Sequence, residues 1–224
     1  MTSEPSSQVQ AVRIETGDGP VLPGDLGLPQ QPAGIVVFAH GSGSSRLSPR
    51  NRHVAAALRQ ARFATLLFDL LTPEEAADRA NVFDIPLLAG RVCDALRWIA
   101  RQPALADLPV GLFGASTGAG AALVAAARMP GAVGAVVSRG GRPDMAGAAL
   151  ASVRAPVLLI VGGADTQVIA LNRAAEAELT CVKAVEIVPG ATHLFEEPGT
   201  LDAVVALAQG WFAAHLQTAS RHDR

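Results

Sequence analysis

The run Val110-Gly111-Leu112-Phe113-Gly114-Ala115-Ser116-Thr117-Gly118-Ala119-Gly120-Ala121-Ala122-Leu123 decides how this chain folds. A short apolar segment enters it, and small, helix-compatible residues leave it as far as Arg128. Between them stands Gly114-x-Ser116-x-Gly118, the spacing of a nucleophile elbow between a strand and a helix. The spacing has a steric cause. So sharp a turn strains the backbone of its central residue, and side chains two positions away would strike neighbouring backbone. The serine hydroxyl is pushed into the open. The helix that follows aims its free N–H groups and positive dipole at the same place. A glycine-rich turn with an exposed serine, as in a nucleotide-binding fold, carries the same short pattern. The strand before and the helix after favour the elbow.

Outward from this stretch, apolar runs predict strands at 34–39, 64–68, 109–113, 132–137, 156–161 and 183–188. Helical spacing predicts helices at 51–62, 87–101, 117–128, 168–179 and 200–216. Residues 9–15 alternate loosely, as an edge strand does. Residues 21–28 contain Pro23 and Gly24 and give an irregular edge strand at best. Thr72 caps a helix start or turn with Pro73 in its first turn. Residues 81–86 and 138–144 are expected as loops, and 145–150 as a short helix. This rhythm gives an α/β fold, a parallel sheet with helices on both faces. The chemistry of such sheets lies at the carboxyl ends of the strands. Polar loops follow four of them, at 40–45, Ser116, Asp165 and His193. The expected organisation is one domain over 9–217, a disordered tail over 1–8 and a frayed tail over 218–224.

Composition narrows the function further. Half of the 224 residues are hydrophobic, enough to bury a large core. The net charge is −2, with no basic run suited to nucleic acid or an anionic membrane. Cys93 and Cys181 lie far apart and form no metal-binding pattern; they suit reduced core residues of an intracellular protein. Residues 1–10 lack the apolar core of a signal peptide, and no apolar run reaches membrane-span length. The expectation is a cytoplasmic monomer or homodimer that needs no metal or cofactor.

A serine hydroxyl needs a base to take its proton and a third group to orient that base. His193 follows the last strand in a Pro-Gly turn and is the candidate base. Asp165, in Gly162-Gly163-Ala164-Asp165, is the candidate orienting acid; Asp69 and Asp144 also follow strands and are its rivals. Alone, His193 could equally be a surface loop residue. The chain order Ser116, Asp165, His193, each closing its own strand, makes the three a candidate triad. An oxyanion also needs donors. Thr117 N–H, just after the serine, is one. Ser42 N–H is the other, with Gly43 and Ser44 close alternatives; Gly41 and Gly43 let the backbone approach a substrate. Arg46, Arg139 and Arg142 lie at or near the same edge. One of them, Arg139 foremost, could fork onto a substrate carboxylate, or all three could be solvated or structural.

With these residues placed, the chain resembles the α/β-hydrolase superfamily, and within it the small, capless dienelactone hydrolase-like group. The resemblance spans residues 9–216. It rests on His40-Gly41-Ser42-Gly43, Gly114-Ala115-Ser116-Thr117-Gly118, Gly162-Gly163-Ala164-Asp165 and Gly190-Ala191-Thr192-His193-Leu194-Phe195. It implies a mostly parallel sheet of about eight strands with no lid, and at these positions an oxyanion loop, nucleophile, acid and base. Dienelactone hydrolases proper use cysteine where this chain has Ser116, which favours a general serine esterase acting on small soluble esters, thioesters or lactones. Acyl transfer or peroxide-dependent chemistry on the same residues, and a silent binding fold, are the competing readings. A nucleotide site is disfavoured: Gly41-x-Gly43 is followed by Arg46 where a third glycine is wanted, and there is no Walker pattern.

Overall fold

The computed structural model describes residues 8–17 and 19–216. The expected tails lie outside them, except that Gln8 pairs with Leu28 at the start of the first strand. The strands are β1 (Gln8–Glu15), β2 (Val21–Leu28), β3 (Gly34–Ala39), β4 (Phe63–Phe68), β5 (Val110–Ala115), β6 (Ala135–Arg139), β7 (Val157–Gly162) and β8 (Lys183–Val188). They form one eight-stranded sheet in the order β1-β2-β4-β3-β5-β6-β7-β8. β2 runs antiparallel to both β1 and β4, and every other pairing is parallel.

The helices are α1 (Pro49–Gln60), α2 (Pro73–Ala77), α3 (Arg79–Val82), α4 (Ile85–Ala100), α5 (Thr117–Arg128), α6 (Thr166–Glu178) and α7 (Thr200–His215). On one face, Leu88, Val92 and Leu96 of α4 and Ala121 and Leu123 of α5 pack against Ile35, Val37, Leu112 and Val136. On the other, Val54 and Leu58 of α1 and Val204, Ala208 and Phe212 of α7 pack against Val36, Phe38, Phe113 and Val137. Strands covered on both faces must be apolar throughout, and every residue of β3, β4 and β7 is buried.

Four expectations need correction. β2 is a regular strand paired on both sides, not an irregular edge. Its ladder with β4 begins at Gly24, so the N–H that Pro23 lacks falls at the ladder's end, while the Pro23 carbonyl accepts from Asp69 N–H. Residues 81–86 are not loop: α3 covers the first two and α4 begins at Ile85 with Pro86 in its first turn, where proline is tolerated. Ser138 and Arg139 belong to β6 rather than to a loop. The expected helix at 145–150 is a longer 3-10 segment, Pro143–Ser152, kinked at Gly147. This segment fills the connection between β6 and β7, where a lid domain would otherwise be inserted.

Candidate active site

Ser116 sits between β5 and α5 with φ 51° and ψ −125°, a conformation that non-glycine residues avoid. Its surroundings hold it there. Ser116 N–H donates to the Arg139 carbonyl at 3.4 Å, and the Ser116 carbonyl accepts from Arg142 N–H at 3.0 Å. The flanking glycines are sterically required. A Cβ on Gly118 would run into the Ala39 and His40 carbonyl oxygens, and one on Gly114 would meet the backbone of Ala119.

Asp165 lies at the start of α6 without capping it. Its carboxylate turns to His193 instead, Oδ2 to Nδ1 at 2.8 Å. The His193 side chain is 39% exposed and that of Asp165 17%, so an accessible imidazole is backed by a more shielded carboxylate. Backbone bonds lock the two loops together: Gly163 N–H to Val188 O and Ala164 N–H to Ala191 O. Of the rivals, Asp144 is engaged by Arg142 at 2.7 and 2.9 Å, and Asp69 by the backbone and guanidinium of Arg46. Gly140 packs on the His193 loop, where a Cβ would lie 2.9 Å from the His193 carbonyl. Gly140 follows Arg139, whose carbonyl holds Ser116, so the elbow and the histidine loop share one support.

The loop after β3 closes over the elbow. Gly41 is pressed against Ser116, and a Cβ there would sit 2.9 Å from Ser116 Cβ. Ser42 N–H donates to Thr117 Oγ1 at 2.9 Å, so the two expected oxyanion residues bond each other. Gly43 takes φ 68° and Ser44 N–H turns back to the Gly41 carbonyl. His40 anchors the loop. Its Nε2 accepts from Leu70 N–H at 3.0 Å, so its proton sits on Nδ1, donated to the Gly41 carbonyl. Burial lowers the His40 pKa and keeps the ring neutral.

Arg46 and Arg142 are matched to carboxylates. Arg139 is not. It is 6% exposed, donates to Asn51 Oδ1 at a long 3.4 Å and lies 5.9 Å over the Phe195 ring. Among the described residues its Nε has no partner. Burial, with Arg50 nearby, pushes its pKa down to about 10. Among the described residues no cluster of three or more side chains suited to a metal forms, and no helix is long and apolar enough to cross a membrane.

The sequence model of the dienelactone hydrolase family matches residues 22–215. The chain belongs to the dienelactone hydrolase family. A solved dienelactone hydrolase from Anabaena variabilis is 55% identical, with a TM-score of 0.91 over 94% of this chain and 99% of that one. A lidless α/β serine hydrolase from Xanthomonas campestris, 19% identical with a TM-score of 0.76 over 96% of this chain and 98% of that one, shares the fold. Two curated Mycobacterium tuberculosis proteins, from strains CDC 1551 and H37Rv, are each 61% identical over 96% of this chain; they are provisionally named phosphoribosyl transferases. The chain spans 48% of the length of these relatives.

Some parts of this dienelactone hydrolase-family site were not anticipated from sequence. Glu197 clamps the histidine loop, accepting from Thr192 N–H at 3.0 Å and Thr192 Oγ1 at 2.6 Å. Phe195, 2% exposed with φ 56°, wedges the same loop against Arg139. The available signal was a buried-type aromatic two residues after a loop histidine. A cavity of about 280 Å³ opens beside Ser42 and Thr117, walled by the connection from β4 to α4. Its only sequence trace is the pair Leu70-Leu71 immediately after a strand end.

Proposed function

We propose that this protein is a serine hydrolase of small carboxylic esters, thioesters or lactones, working through an acyl-enzyme. The observation that carries the reading is a serine in a strained, backbone-locked elbow on the same sheet edge as an Asp165–His193 pair. Ser116 Oγ attacks the carbonyl carbon, and His193 takes its proton. With Nδ1 facing Asp165, Nε2 is the nitrogen left for that task. Collapse of the tetrahedral intermediate expels the alcohol, which leaves with the proton from His193. Water, deprotonated by His193, then attacks the acyl-enzyme carbonyl, releasing the acid and restoring Ser116.

The oxyanion lies between Thr117 N–H and the 41–43 loop. Ser42 N–H exchanges its bond to Thr117 Oγ1 for one to the oxyanion. In this reading Arg139 supports the His193 loop through Phe195, rather than binding a substrate carboxylate. The mycobacterial relatives that carry the transferase name extend well beyond the match, since this chain spans 48% of their length. Free Cys93 and Cys181 suit a cytoplasmic enzyme acting as one unit over 9–217.

The test is stopped-flow hydrolysis of p-nitrophenyl acetate. A nitrophenolate burst equal to the enzyme concentration, absent in Ser116→Ala, supports the acyl-enzyme. Turnover that survives Ser116→Ala contradicts it.

A further inference from the structure

We propose that the cavity of about 280 Å³ beside Ser42 and Thr117 is the acyl subsite, and that it takes a neutral, apolar acyl group. The assignment rests on the hydrolase reading above.

The side of the site follows from the chemistry. The leaving oxygen must receive its proton from His193, so the alcohol lies toward the histidine loop. The oxyanion points at the donors. The third substituent of the tetrahedral carbon, the acyl chain, must leave in a remaining direction. Gly41, which is pressed against Ser116, lines the cavity together with Ser42 and Thr117, whereas Ser116 and His193 themselves do not.

The acyl class follows from the walls. Leu70, Leu71, Pro73, Ala76, Val82 and Leu88 line them. No arginine or lysine is among the lining residues. Asp69 is, with its carboxylate paired to Arg46, so that cation is already engaged and no lining cation is left for a substrate carboxylate. His40, the other titratable lining group, is held neutral by the Leu70 N–H on its Nε2. Arg139, a buried cation without a carboxylate partner among the described residues, is not a lining residue and lies between Asn51 and Phe195.

Size follows from volume. An apolar cavity of about 150 Å³ admits benzene. The cavity of about 280 Å³ therefore suits an acyl group of up to roughly ten non-hydrogen atoms. Its wall is fixed in place. Thr72 and Glu75 form a reciprocal capping box at the start of α2. Arg91, buried on α4, ties the wall to the sheet edge through Glu75 at 2.7 Å and Thr16 at 2.8 Å. Such a wall gives selection by fit rather than by closure.

The experiment is kcat/KM for p-nitrophenyl acetate, butanoate, hexanoate and hemisuccinate, so that the alcohol stays constant. The native protein is compared with Ala76→Trp and Val82→Trp. Ala76 is exposed on α2, so a larger side chain can enter the cavity without repacking the core. The expected result is a rise of up to about fourfold per added methylene from acetate to hexanoate, and hemisuccinate poorer than butanoate. The hexanoate-to-acetate ratio should fall at least about tenfold in either variant, the equivalent of losing roughly two buried methylenes. A flat chain-length profile, a preference for hemisuccinate, or an unchanged ratio in both variants overturns the acyl assignment while ester hydrolysis stands. Failure to hydrolyse any of the four overturns it together with the hydrolase reading.

Discussion

Ser42 N–H and Thr117 Oγ1 are hydrogen-bonded at 2.9 Å across 75 residues of sequence, joining the loop after β3 to the elbow. The contact satisfies a donor that the oxyanion is proposed to claim. Thr117→Val removes the acceptor and keeps the shape. It should lower stability by about 1–2 kcal/mol, because a part-buried N–H loses its partner. kcat/KM should stay within about threefold, since the donor remains for the oxyanion. Thermal melts and ester kinetics on one preparation check both. A hundredfold loss of kcat/KM would instead assign the hydroxyl itself to catalysis.

His40 gives a pH signature. Its folded pKa lies below the ordinary 6.5, because burial disfavours the cation and Nε2 is occupied as an acceptor. The unfolded chain therefore binds the proton first as pH falls. Stability is fully present above about pH 6.5 and is lost as pH drops from there through the folded value. Urea midpoints of the native protein should fall across that window, with a shallower slope in His40→Gln. Equal slopes would remove His40 as the cause.

Arg139 carries its charge against the grain of its surroundings. A lowered cation pKa, about 10, means that the fold disfavours the protonated form. That penalty is in force below about pH 10 and is relieved as pH rises above it. Buried ions with incomplete pairing can be replaced by apolar residues of like size at little or no loss. Arg139→Met should keep or raise the melting temperature at neutral pH. It should lower kcat/KM for neutral and acidic esters by the same factor, since the Phe195 support acts on both. A loss confined to acidic esters would make Arg139 the carboxylate ligand that the sequence first suggested.

Glu197 orders the histidine loop through Thr192. Those bonds hold the Glu197 carboxyl below its ordinary pKa, so the clamp is complete at neutral pH and weakens as pH falls below 4.5. Glu197→Ala should reduce kcat by up to about tenfold with little change in KM, because the base is less well placed while the pocket is untouched. A change in KM alone would contradict a positioning role.

What the sequence disclosed follows from the range of the forces involved. Gly114, Ser116 and Gly118 were legible because a steric rule acts within five residues. β8 was legible as a short run between clear breaks, and its observed bounds, Lys183–Val188, match the expected ones. Ser138 and Arg139 looked like loop because polar residues at a strand end resemble a turn, yet both are buried in β6. Pro86 looked like a breaker because the same residue stops a helix or starts one, depending on position. Asp165 was chosen over Asp69 and Asp144 for its place after a strand in Gly162-Gly163-Ala164-Asp165, where glycines let the loop fold back on the sheet edge. The arginine partners of the two rivals lie 23 and 2 residues away, and only the first of those distances hid the pair. The Ser42–Thr117 bond and the cavity beside it arise from tertiary packing; the bond leaves no local trace and the cavity only the pair Leu70-Leu71.

The central claim is that Ser116 is an activated nucleophile. The most direct measurement is labelling with a fluorophosphonate probe, comparing the native protein with Ser116→Ala and His193→Ala and locating the adduct by peptide mass spectrometry. The account expects a single adduct on Ser116 in the native protein and none in either variant. A folded native protein that takes no label, or that takes it on another residue, would contradict it.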